Sequence, residues 1–157
     1  MKRCRCTHGG FSLLEVVIVV AIIAILAAIG IPRMSRGAKG ASDAALTGDL
    51  ATLRNAIDLY AAEHTGVFPV AASINTLLTQ YTNISGAVSA TKTTTHIYGP
   101  YMRSIPPLPV GGKKGSSTIA DANGVGVGWI YSATDGTIKA NTTDAEVDEA
   151  GKKYNAY

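Results

Sequence analysis

One carboxylate, Glu15, stands in a stretch that gives it no cation to pair with. Phe11 to Ile31 reads FSLLEVVIVVAIIAILAAIGI, and 18 of these 21 residues are apolar, Ser12, Glu15 and Gly30 being the exceptions. A carboxylate carried into hydrocarbon costs on the order of 3 kcal/mol, so it needs a proton or a cation. Glu15 can sit protonated near one end of the stretch, reaching for the interface, or a cation can be made beside it. Cutting the chain between Gly10 and Phe11 makes one. The new α-amino group of Phe11 lies one helical turn from Glu15, close enough to neutralise it in the same chain or a neighbouring one. The chemistry on offer is ion pairing after a proteolytic cut.

The element that positions this pair is a helix. Twenty-one residues at 1.5 Å each give about 31 Å, which matches a hydrocarbon core of about 30 Å. A helix buried inside a globular domain is rarely apolar on every side over this length, so the stretch reads as a membrane span. An ordinary secretory signal is the rival. Its apolar run is shorter, and no small-x-small cleavage site stands beyond this one before Pro32. Lipoprotein processing does not fit, because Cys6 precedes the apolar run.

Taken in order, Lys2-Arg3…Gly9-Gly10-Phe11-Ser12-Leu13-Leu14-Glu15 resembles the short class III signal of type IV pilins and type II secretion pseudopilins. The resemblance implies that a prepilin peptidase cuts after Gly10 and methylates the amino group of Phe11. It also implies that Glu15 guides registry between subunits. A cytoplasmic leader and an outside head come from the same resemblance. Arg33, Arg36 and Lys39 follow the span, so positive charge flanks both sides and the charge rule alone decides little.

The leader also reorganises the composition. The chain has 157 residues, 14 basic and 11 acidic, with two cysteines. Lys2, Arg3, Arg5, Cys4 and Cys6 all precede Phe11, so the part from Phe11 onward carries equal numbers of basic and acidic residues and no cysteine. A balanced charge argues against a nucleic-acid partner.

Beyond the span, Gly30 and Pro32 predict a kink or local loosening near Ile31, since proline removes a donor and disfavours helix before it. Leu46, Leu50, Leu53, Ile57 and Tyr60 then recur at helical spacing, with Asp49, Arg54, Asp58 and Glu63 elsewhere. This stripe packs on a small domain; a coiled-coil seam of about two heptads is the alternative. The simplest arrangement is one helix from Phe11 to about His64, stopped by Thr65-Gly66-Val67-Phe68-Pro69. A short helix is predicted over Ser73 to Tyr81. Thr82 to His96 reads as a surface loop, with a strand as the alternative. Two β-rich runs, Gly128 to Ala133 and Thr137 to Asn141, flank Thr134-Asp135-Gly136 and predict a hairpin. Asp144 to Glu149 reads as solvated.

Tyr98-Gly99-Pro100-Tyr101-Met102…Ile105-Pro106-Pro107-Leu108-Pro109 is similar to the segment leading into the sheet of the major pseudopilin, the G subunit of type II secretion; a proline-rich surface loop is the alternative. That subunit closes with a calcium loop rich in aspartates. Here Asp135 stands alone, with Asp121, Asp144 and Asp148 scattered outside, and calcium needs six to eight oxygen ligands. No cofactor is expected, with calcium the alternative. No enzyme signature is found: Gly124-Val-Gly-Val-Gly128 lacks a following helix and Walker lysine, His64 and His96 lack zinc spacing, and no serine sits in a nucleophile elbow. Lys113-Lys114 between glycines reads as a mobile basic loop.

The expected organisation is a cleaved leader over 1–10, a membrane and fibre-core helix over 11–32, its amphipathic continuation over 33–64, and a head over 65–157. The fold class is α+β, a long N-terminal helix packed on a small antiparallel sheet. The implied function is structural, not enzymatic: a pseudopilus subunit, with a surface pilin or a minor pilin-like binding module as alternatives. Implied partners are copies of itself in a helical fibre, prepilin peptidase, an inner-membrane assembly platform, minor pseudopilins and, before assembly, lipid. The implied place is the bacterial inner membrane with the head in the periplasm, then a periplasmic fibre.

Overall fold

The computed structural model describes residues 11–157, without the side chains of 30–33, 35 and 36. Helix α1 is Leu13–Glu63, and the chain divides after Ala38 into two compact units, the second being Lys39–Tyr157. Gly30 and Pro32, where a kink is expected, lie within the helical assignment of α1.

The second unit is built on the stripe read from the sequence. Leu46, Leu50, Leu53, Ile57 and Tyr60 are each at most 5% exposed and form one cluster with the head. Fully burying such aliphatic side chains contributes roughly 1.5–3 kcal/mol each, so this face holds helix and head together. The helix stops in a left-handed turn: Thr65 has φ 57° and Gly66 φ 84°. The Gly66 N–H then donates to the Ala61 carbonyl (2.7 Å), satisfying a carbonyl the helix end would leave open.

A single 3₁₀ turn, Ala71–Ser73, leads into α2, Ile74–Thr79, which buries Ile74, Leu77 and Leu78. Strands β1 (Tyr81–Thr82) and β2 (Val88–Ser89) pair antiparallel, so the segment expected as loop opens with a small ribbon. A second sheet has the order β3 (Thr118–Ala120), β4 (Val127–Tyr131), β5 (Ile138–Ala140). The β4–β5 hairpin is the one read from the sequence, with Trp129 opposite Ala140 and Tyr131 opposite Ile138.

The sheet corrects one expectation: β3 and β4 run parallel, so the head is mixed rather than antiparallel. Parallel neighbours ordinarily need a long crossover. Here β3 is three residues long, about 10 Å, and the loop 121–126 is long enough to carry the chain back to its start. Gly126, at φ 73°, takes a backbone turn that side chains resist. The outer edge of β3 is closed by a side chain. Asn75 on α2 donates from Nδ2 to the Ile119 carbonyl (2.9 Å) and accepts from the Ile119 N–H at Oδ1 (3.0 Å), the two bonds a further strand would make.

The proline-rich segment packs against the core through Tyr101, Met102, Ile105 and Leu108. Leu108 is fully buried, Trp129 Nε1 donates to the Pro106 carbonyl (2.9 Å), and Tyr131 donates its hydroxyl to the Pro69 carbonyl (2.9 Å). Burial pushes the Tyr131 hydroxyl up to about 12. In the acidic tail, read as solvated, Asp148 is a second correction. Asp148 is buried, and the Tyr157 hydroxyl beside it holds its carboxyl below the usual range. Glu146 accepts from the Thr143 and Gly112 N–H groups, which hold its carboxyl low, and Asp144 pairs with Lys153 (2.6 Å). Asp148 is thus drawn into the fold, while Asp144 and Glu149 stay exposed to solvent as read from the sequence.

Candidate functional site

The candidate site is the start of α1. Ser12 lies just outside the helix and its carbonyl accepts from the Glu15 N–H (3.0 Å) and the Val16 N–H (3.3 Å). That fixes Glu15 in the first turn, where a carboxylate also meets the positive end of the helix dipole. Phe11, Glu15, Val16, Val19 and Val20 line a shallow depression of about 210 Å³ on one side of the helix. Phe11 precedes the helix by two residues, yet it borders the same depression as Glu15. Gly10, the expected last leader residue, lies outside the described residues.

The surface around this pair is apolar and uncovered. From Phe11 to Ile29 every large hydrophobic side chain is between 50% and 83% exposed. Monomeric soluble proteins rarely expose an apolar patch of this extent, and one that does occur marks an interface with lipid or another protein. Among the described residues no helix is long and apolar enough to cross a membrane. The described side chains of the apolar run end at Ile29, while the sequence run continues to Ile31.

A family profile described as the prokaryotic N-terminal methylation motif matches residues 5–31. The chain carries the type IV pilin/pseudopilin signature. The motif implies a membrane-anchored precursor, processing by prepilin peptidase and assembly into a fibre. The architecture agrees with it: one long N-terminal helix followed by a small α+β head. No curated protein and no solved structure matches the chain.

The remaining candidate residues of the head are accounted for by the fold. His64 is 3% exposed, with Nδ1 2.9 Å from the Tyr60 carbonyl and Nε2 2.9 Å from the Asn83 carbonyl, and its ring stacks on Tyr60. Asp135 accepts from the Thr137 N–H and hydroxyl within the hairpin turn. Among the described residues no three His, Cys, Asp or Glu side chains form a group able to hold a metal. Lys113, read as part of a mobile loop, donates instead to the Asn123 side-chain oxygen and to the Gly124 carbonyl (3.2 Å). Sequence reasoning missed Asn75 and Lys113, because their partners lie 44 and 10 residues away and no spacing rule connects them.

Proposed function

We propose that this chain is a structural subunit of a type II secretion pseudopilus, without catalytic activity. Its apolar helix rests in the inner membrane until prepilin peptidase removes residues 1–10 and methylates Phe11. The helix then leaves lipid for the centre of a helical fibre, and the heads form the outside. The observation that carries this reading is one carboxylate, Glu15, in the first turn of an apolar helix whose large side chains are uncovered, within the matched methylation motif. Glu15 is costly in hydrocarbon alone and is neutralised when it meets the Phe11 amino group of a neighbouring copy. Each incoming subunit is thereby drawn to one register, while the apolar face supplies most of the association energy.

Support for a pseudopilus over a surface pilus comes from the Tyr98–Pro109 segment, which packs against the head core, and from the lack of cysteine after Phe11, which removes a disulfide-closed head loop. The assembly platform and minor pseudopilins follow from this reading as partners. Deleting the chain's gene tests it. Export of secreted enzymes across the outer membrane should stop while surface fibres, twitching and DNA uptake persist. Intact export with lost surface fibres would instead make the chain a surface pilin.

A further inference from the structure

Of the six asparagines in the chain, Asn123 alone is followed by glycine. Both residues are exposed in the loop between β3 and β4. The Asn123 side-chain oxygen accepts from two donors at once, the Lys113 ammonium and Asn141 Nδ2, the latter at 3.2 Å. Asn141 is itself buried and anchored, donating also to the Val127 carbonyl (2.7 Å), so its aim is fixed by β4. The Gly124 N–H makes no hydrogen bond among the described residues. Gly124 also has no Cβ to shield its nitrogen. An activated amide therefore stands next to a free and unhindered backbone nitrogen.

We propose that Asn123–Gly124 is a self-modification site, at which the folded head converts Asn123 to aspartate and isoaspartate. The Gly124 nitrogen attacks Cγ of Asn123 and closes a five-membered imide. Negative charge develops on Oδ1, where the Lys113 ammonium and the Asn141 amide already point; donors placed in advance at a developing oxyanion lower the barrier. The Cγ–Nδ2 bond breaks, and Nδ2 leaves as ammonia with the proton from the Gly124 nitrogen. Water then opens the imide at either carbonyl. One water is consumed and one ammonia released, with no oxidant or second reactant.

The product changes the head in a defined way. The new carboxylate at 123 lies against the Lys113 ammonium, turning a charge–dipole contact into an ion pair between the 111–115 loop and the β3–β4 loop. The part of the chain from Phe11 onward, balanced in formal charge at synthesis, gains one negative charge with age. Older subunits thereby differ from new ones in charge, on an exposed loop.

The test is incubation of the full chain, purified in detergent, in mildly alkaline buffer, followed by peptide mass spectrometry and isoaspartate detection. The chain should gain one mass unit at Asn123 while the other five asparagines stay unchanged. Lys113→Met should slow the gain several-fold, and Gly124→Ala should suppress it, each in protein whose circular dichroism matches the parent. A synthetic peptide covering residues 118–128 should convert more slowly than the folded chain. A peptide that converts faster than the folded chain would overturn the proposal, since the fold would then protect Asn123. A lasting loss of ammonia with residues 113 and 123 cross-linked would overturn it too, by making Lys113 the nucleophile.

Discussion

Glu15→Val should leave the chain in the membrane and remove the fibres. Valine abolishes the cost of carrying a carboxylate into hydrocarbon, on the order of 3 kcal/mol, so insertion is favoured rather than impaired. Assembly responds in the opposite direction. Removing one partner of a buried charge pair leaves the other uncompensated, at about 3–5 kcal/mol. At about 1.4 kcal/mol per factor of ten, each subunit addition weakens by roughly two to three and a half orders of magnitude. In a fibre every subunit is added through the same contact, so the loss falls on each step of growth. Membrane fractionation should recover Glu15→Val in normal amounts, and electron microscopy should find no fibres. Glu15→Gln, which keeps the shape and loses the charge, should behave alike. Normal fibre numbers from either variant would remove Glu15 from the assembly mechanism.

The second large effect lies in the head. A Cβ at Gly128 would stand 2.0 Å from the Ser116 carbonyl oxygen and 2.8 Å from its carbon, with Leu108 Cβ at 3.4 Å. Neither backbone can yield easily. The Ser116 oxygen accepts from the Leu108 N–H at 2.9 Å, and the Gly128 oxygen accepts from the Asn141 N–H at 2.9 Å. Gly128 also sits between Val127 and Trp129, both buried on β4. Gly128→Ala must therefore separate β4 from the loop beneath it, at on the order of 3 kcal/mol or more. For a unit of this size the melting temperature should fall by at least about 10 °C. Gly48→Ala is the matched control, because its Cβ would meet nothing within 4 Å on an exposed turn of α1. It should be neutral or stabilising by roughly 0.5–1 kcal/mol. A Gly128→Ala head melting within a degree or two of the parent would contradict this packing.

What the sequence made legible is what depends on neighbours along the chain. Glu15 stands out as the one charge in an otherwise apolar run, and Leu46 to Tyr60 declare a helix by their spacing. The β4–β5 hairpin is written in Asp135-Gly136, whose turn is made by those residues themselves. Pairings set by distant residues were not legible. β3 is too short to show alternation, and its parallel partner is chosen by the loop 121–126 and by the Asn75 amide arriving from α2. Asp148 reads as a surface acid until Tyr157 and the turn 148–152 close around it. At the candidate site, Phe11 and Glu15 are close in sequence, and their place beside one shallow depression follows from that closeness.

The cut between Gly10 and Phe11 is tested most directly by the intact mass of the chain produced together with a prepilin peptidase. The mature chain should begin at Phe11 and carry one added methyl group on its amino nitrogen. A chain that keeps Met1 to Gly10, or is cut at another bond, would contradict the account, because Glu15 would then have no amino group to meet.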